Sequence, residues 1–384
     1  MWLLKPERLI MAFALGRFLF GSLELGLAQP RTWVLSAEPL VTIGPRLGPM
    51  GEFARVGLAL SGPRGEIAVS NSASQEIRIF SRDGRFLRSL GRAGDGPGEF
   101  RSLWSFFLAG DTLFVPDEIT SRVTMFRWDG PLMGTYPIAA RSAIGRYSVN
   151  HRLADGRFVV STMSTPTLDG PQRVYRDTTW VGLLSRDGTA LRWLGAFPGR
   201  SFFVYNPSNG PRGMLVGVDP LAPALIVSAT RDHVLIGDMA DGALREVDTM
   251  GVALRQLTLP FPPEPFEKAE LAQAIRERVA AAESDAQRTI DQAMFSAPFV
   301  PATKPRFGDV VVGVGGEIWI RPWRLGGSKG DLFTILDPLG VPIASLQGPR
   351  RFRLDQVGPD YLVGVAKDDD DVETGVVYGL RRTK

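Results

Sequence analysis

Gly51-Glu52-Phe53 recurs 47 residues later as Gly98-Glu99-Phe100, and IAVSNSASQEIRIFSRDG (67–84) aligns without a gap on LFVPDEITSRVTMFRWDG (113–130) at an offset of 46. Turn composition alone does not produce so long a match. A period of this length marks one supersecondary unit that cannot bury its apolar face by itself, so neighbouring units must stack. The unit reads as four short strands, at 56–61, 66–70, 76–81 and 86–91, of alternating or continuous apolar character bounded by Gly, Pro, Asn or Asp. Asp83-Gly84 makes the tight turn between the third and fourth, where glycine supplies a positive φ without steric cost.

The same grammar returns in LLSRDG (183–188), HVLIGDMADGALREVDTMG (233–251), and EIWIRPW (317–323) followed by DLFTILDPLG (331–340). The turn glycines are therefore 84, 130, 188, 251 and 340, and spacings of 46, 58, 63 and 89 describe one unit with growing insertions. A sixth unit must be assembled from DYLVGVAKD (360–368) and GVVYGLRR (375–382) together with residues 33–44 from the other end of the chain. Joining the ends closes a ring and removes open sheet edges. The expected fold is all-β, a six-bladed β-propeller over residues 29–384 with a long helical insertion at 260–304 between blades four and five. The 43 glycines and 29 prolines agree with many short strands and tight connections.

LGRAGDGPGEF (90–100) and VPDEITSRVTMF (115–126) resemble the NHL-repeat class of six-bladed propellers, in the variety common among secreted bacterial proteins. The likeness is close in blades one and two and degenerates afterwards, where Thr162 and Pro322 replace the Asp or Asn that follows the second strand. Such a resemblance implies the fold; it leaves binding and catalysis both open, because propellers host both.

Residues 9–28 are mostly apolar and follow Lys5 and Arg8, and Gly26-Leu27-Ala28 supplies a small-x-small site before Gln29. This is the order of a signal peptide, so 1–28 is expected to be cleaved and the protein to be periplasmic or secreted, with no membrane segment left. Arg17 and Glu24 interrupt the stretch and disfavour a spanning helix; a start at Met11 would remove that oddity. The absence of cysteine excludes disulfides, thiolate catalysis and thiolate zinc sites, and two histidines cannot make a multi-histidine cage. With 44 basic and 41 acidic side chains and no basic aromatic strip, no nucleic-acid partner is expected.

In a four-stranded blade, strands a to d running outward, the a-to-b and c-to-d turns share one face and the b-to-c and d-to-a connections share the other. Every long insertion falls on the second face: 162–179 and 322–330 as b-to-c loops, 196–221 and 260–307 as d-to-a connections. Loops of that length on one side point to function. The largest carries Leu271, Ile275, Val279, Ala282, Ala286, Ile290 and Met294 at helical spacing over 264–295, either one helix across the face or a hairpin broken near Ser284-Asp285. Packing on its own propeller and service as a lid or docking helix are both open.

The leading functional reading is a monomeric binding module, without cofactor, that engages a protein, peptide or glycan through this face. Tyr175, Trp180, Phe202, Tyr205 and Trp323 could stack on or grip such a ligand, with Arg324 beside them. The alternative is a metal-dependent hydrolase or lyase. Asn71, Asp117 and Asp238 occupy one position in three blades, after the second strand, where a short polar side chain can bond the amides of its own turn. The same residues resemble the gluconolactonase and senescence-marker propellers, in which Glu, Asn and Asp around the channel hold a divalent cation such as calcium; that resemblance implies a polarised lactone or ester. His151 and His233 have no serine motif or second base beside them, the acidic run at 368–371 lacks the spacing of a calcium loop, and GDGPGEF (94–100) joins two strands rather than opening a helix.

Overall fold

The structure, a computed structural model, describes residues 31–138, 146–162, 172–206, 215–282, 284–296, 300–325 and 330–383. The leader read at 1–28 and the centre of the loop read at 162–179 lie outside the described residues. Among the described residues, six sheets of four or five strands form the blades, and Arg92–Ala93 pairs with Glu99–Phe100 in a separate two-stranded ribbon. Blade one is Val56–Ser61, Ile67–Asn71, Glu76–Phe80 and Phe86–Leu90; blade two is Phe107–Ala109, Thr112–Asp117, Arg122–Arg127 and Leu132–Pro137. Each strand pairs antiparallel with the next, as the short turns between them require. All five turn glycines read from the sequence have positive φ, from 73° at Gly188 to 128° at Gly130.

Of the seven clusters of buried apolar residues among the described residues, six each join a pair of neighbouring blades. Ile77, Leu90, Phe100, Leu113 and Trp128 join blades one and two; Val363 and Val365 of blade six meet Ile67, Val69 and Phe80 of blade one. Six junctions for six blades is the arithmetic of a closed ring.

The closure uses both ends of the chain, and in more detail than expected. Phe352–Val357, Tyr361–Lys367 and Glu373–Arg381 are the first three strands of blade six. Val34–Leu35 and Val41–Ile43 then lie antiparallel on Glu373–Arg381 as its outermost strand, with Ile43 opposite Gly375. Arg31–Thr32 does something else: it runs parallel to Pro342–Gln347 and extends blade five. Trp33, between these two attachments, is buried against Trp319 with ring centroids 5.7 Å apart.

Blade three corrects the loop assignments. Residues 196–205 are not a d-to-a connection but the second half of a 15-residue strand, Leu191–Tyr205, paired with the 12-residue Arg173–Leu184 and flanked by an added strand, Leu215–Val218. Paired strands satisfy the backbone groups that a loop would have left to solvent, and Tyr175 stacks on its cross-strand partner Phe202 at 5.6 Å.

The helical insertion takes the hairpin form. Helix α1 spans Lys268–Ala281 and helix α2 spans Asp285–Met294, broken where Ser284 caps α2 by accepting from the Gln287 amide at 3.1 Å. Ile290 and Met294 are buried with Phe203 of the long blade-three hairpin, and Arg278 of α1 holds Asp291 of α2 at 2.8 Å. Ala286, expected in the apolar stripe, is exposed. The insertion is thus packed on blade three of its own propeller, and its leading segment is pinned to blade five by the edge-to-face pair Phe266–Trp323 at 5.6 Å.

Candidate functional site

The face that carries the insertions opens on two cavities that share Asp309, at the start of the innermost strand of blade five, Asp309–Val312. The first, about 450 Å³, lies over blades three and four; Ser148, Asn150, Thr162, Thr179, Arg200 and Phe202 are among its walls. The second, about 420 Å³, lies over blades five and six and is lined by Arg321, Arg324, Asp331, Arg351, Arg353, Lys367 and Glu373 with two apolar neighbours. A larger cavity of about 740 Å³ lies on the opposite face, between blades six and one. Its walls combine Leu40, Val41, Ile67 and Val377 with Ser81, Arg82, Asp83, Asp360 and Tyr361, and it lies among the short turns rather than the insertions.

Inner-strand amides that face the channel are capped by side chains from adjoining blades. Asp355 accepts from the Ala59 amide at 2.9 Å and is gripped by Arg353 through Nε at 2.7 Å and Nη2 at 3.2 Å; burial pushes its carboxyl up. Glu118, also raised by burial, accepts from the Val149 amide at 3.3 Å. Glu373 accepts from the Val56 amide, and Gln356 from the Ser61 amide at 2.6 Å. These carboxylates therefore join blade to blade. His151 is half-buried, desolvation lowers its pKa, and its Nε2 lies 3.1 Å from the Val227 carbonyl, an arrangement for a neutral ring that donates. His233 sits away from the mouth, with Nδ1 2.8 Å from Glu246.

The positions read from the sequence separate into two groups. Phe202 and Arg324 line the cavities, and Tyr175 stacks on Phe202. Trp180, next to the cavity-lining Thr179 and so on the other side of the strand, packs against Trp193 at 6.3 Å; Tyr205 packs under α2, and Trp323 against Phe266. All three take part in packing within the protein. Asp117 accepts from the amides of Ile119 and Thr120 at 3.0 Å and from that of Arg101 at 2.7 Å. Asp238 accepts from the Ala240 amide at 2.9 Å and takes both ends of the Arg176 guanidinium at 2.8 and 2.9 Å. Asn71 departs from the pattern: it is buried, and its Oδ1 has no hydrogen-bond partner. Among the described residues no three His, Asp or Glu side chains converge as a metal would require.

One residue was missed. Trp104, on the connection from blade one to the inner strand of blade two, is 49% exposed, and the Arg55 guanidinium stands 5.5 Å from its ring centroid. Its carbonyl abuts Gly57, whose own carbonyl accepts from Arg353 at 2.8 Å, so the residue lies on the same face as the mouth. In the repeat it stands where blade one has Gly57, and that contrast was the available signal.

The chain is a six-bladed β-propeller. A profile of the family DUF5128, described as a 6-bladed beta-propeller, matches residues 60–136, and no curated protein matches the sequence. A member of the DUF4221 family from Bacteroides vulgatus is similar in structure at 10% identity and a TM-score of 0.55, covering 92% of this chain and all of that one. A protein from Bacteroides fragilis provisionally described as exported shares 13% identity at a TM-score of 0.50, covering 91% and 95% of the two chains. The calcium-binding protein regucalcin from Agrobacterium tumefaciens is more distant, with 11% identity over 91% and 96% of the chains and a TM-score of 0.45. Likeness at these identities is likeness of fold. No helix among the described residues is long and apolar enough to cross a membrane.

Proposed function

We propose that the protein is an extracytoplasmic, monomeric binding module that takes a polar segment of a protein, peptide or glycan at the channel mouth on its insertion-bearing face. The observation that carries this reading is the meeting of two cavities at Asp309, walled by hydroxyl, amide and guanidinium groups from blades three, five and six, on the face that also carries the exposed indole of Trp104. A few convergent polar groups in a concave, preformed site fix a ligand's orientation without moving the scaffold. Export accords with the small-x-small sequence before Gln29. The metal-dependent alternative draws on Asn71, Asp117 and Asp238, but the two aspartates are already committed to turn amides and Arg176, which leaves that reading without a favouring observation.

Peptide and glycan arrays probed with the mature protein and with Asn150→Ala/Arg200→Ala test the reading. The double variant should lose binding about tenfold or more, since each group supplies charge-assisted or amide hydrogen bonds. Array binding that survives the double substitution would move the site elsewhere, and lactone or ester turnover with stoichiometric metal would favour the hydrolase.

A further inference from the structure

The cations of the second cavity are unequally used. Arg353 is held by Asp355 and the Gly57 carbonyl, Arg351 by Asp371 and the Asp368 carbonyl, and Lys367 by Glu373 at 3.0 Å. Arg321, at the end of the second strand of blade five, and Arg324, three residues on, are different. They share one carboxylate, Asp331, at 3.9 and 3.3 Å, and among the described residues neither guanidinium makes a hydrogen bond. Asp309 lies opposite Arg321 in the strand register but accepts from its own Val310 amide at 2.8 Å, and among the described residues it forms no ion pair. Two forks carrying about ten N–H donors between them thus face the cavity with one carboxylate to divide. Burial also holds the Asp331 carboxyl up, a sign that charge here is poorly screened by water.

We infer that Arg321 and Arg324 form a subsite for the carboxylate of an acidic saccharide, a uronate, with the free face of Trp104 available to a sugar ring elsewhere along the same ligand. This rests on the reading of the mouth as a binding site and narrows it. A planar carboxylate matches the guanidinium fork in two parallel hydrogen bonds, which Asp331, at 3.9 and 3.3 Å, does not supply. The choice of saccharide over acidic peptide follows from the remaining walls. Phe202 and Phe352 are each only 6% exposed and sit in the protein's own packing, and Leu225, Ile226 and Val227 form the apolar wall of the first cavity. The same cavity is lined by hydroxyls and an amide at Ser148, Asn150 and Thr162, suited to ring hydroxyls, and the indole of Trp104, on the same face of the propeller, stands against Arg55.

The test is isothermal titration of the mature protein with oligogalacturonate, neutral maltooligosaccharide and oligoglutamate of matched length, at two salt concentrations. The protein should bind oligogalacturonate in preference to both others. Arg321→Ala/Arg324→Ala should weaken that binding about tenfold or more, as expected for two charge-assisted hydrogen bonds. Arg321→Lys/Arg324→Lys, which keeps the charge and loses the fork, should recover only part. A control in Arg64→Ala/Arg82→Ala, exposed cations on the turns of the opposite face, should change the affinity less than twofold, and thermal melting confirms that each variant is folded. Equal loss in the control would show diffuse polyanion attraction and overturn the subsite. Equal or tighter oligoglutamate binding with the same arginine dependence would overturn the saccharide assignment. If maltooligosaccharide binds as well as oligogalacturonate, and the arginine variants are neutral, the acidic subsite fails while the binding-module reading stands; if no probe binds, the proposed subsite falls.

Discussion

Replacing Ile43 by Ala tests whether the ring is held shut by its N-terminal strand. Ile43 is fully buried, lies opposite Gly375, and packs in the cluster that joins blade six to blade one through Val69, Phe80, Val363 and Val365. Truncation removes three carbon groups at about 0.8 kcal/mol each, and the cavity left among rigid strands adds to this, for a total of about 3 kcal/mol. With a urea m-value of about 3 kcal/mol/M, the unfolding midpoint should fall by about 1 M. Tryptophan fluorescence and circular dichroism would follow the transition. The internal control is Leu40→Ala, in the same segment but 65% exposed, which should shift stability by about 0.5 kcal/mol or less. A midpoint for Ile43→Ala no lower than that of Leu40→Ala would refute the reasoning and mean that the ring closes without this strand. Deletion of residues 31–44 should go further and promote aggregation by baring the edge of Glu373–Arg381.

Ile290→Asp with Met294→Asp should release α2 from Phe203, so that limited proteolysis cuts the 268–294 segment much faster while the propeller's melting transition stays in place. Arg176→Ala should cost about 1–2 kcal/mol in thermal unfolding, because it strands the largely buried Asp238 without its bidentate partner. Asp219→Asn addresses pH: burial raises the Asp219 carboxyl, so the native state binds a proton more tightly than the unfolded chain, and stability is lost as pH rises from the ordinary aspartate value through the raised one. The variant should therefore be more stable than the parent near neutrality and lose that advantage in acid, as read from melting temperatures across pH. Trp104→Ala should leave melting within about 0.5 kcal/mol of the parent while weakening any ligand held at the mouth.

The blades were legible because their strands are short and their turns need particular backbone angles. Gly84, Gly130, Gly188, Gly251 and Gly340 mark the same corner of five units, and each has the positive φ that its turn demands. Ring closure by residues 33–44 was legible too, since an unpaired outer edge at Glu373–Arg381 needed a strand and the N-terminal segment alone remained to supply one. The aromatic residues of the insertions could not be sorted in this way. Trp180, Tyr205 and Trp323 look like ligand-stacking residues when read along the chain, but each is consumed by a partner far away in sequence or across a strand: Trp193, α2 and Phe266. Residues 196–205 read as a loop because nothing local says that Arg173–Leu184 will pair with them for their whole length. The chain's local chemistry determined the repeat, the turns and the closing of the ring. Only the tertiary structure decided which side chains reach the mouth, because that depends on how blades from distant parts of the chain bring Asp309, Arg321, Arg324 and Trp104 to one face and bury the rest.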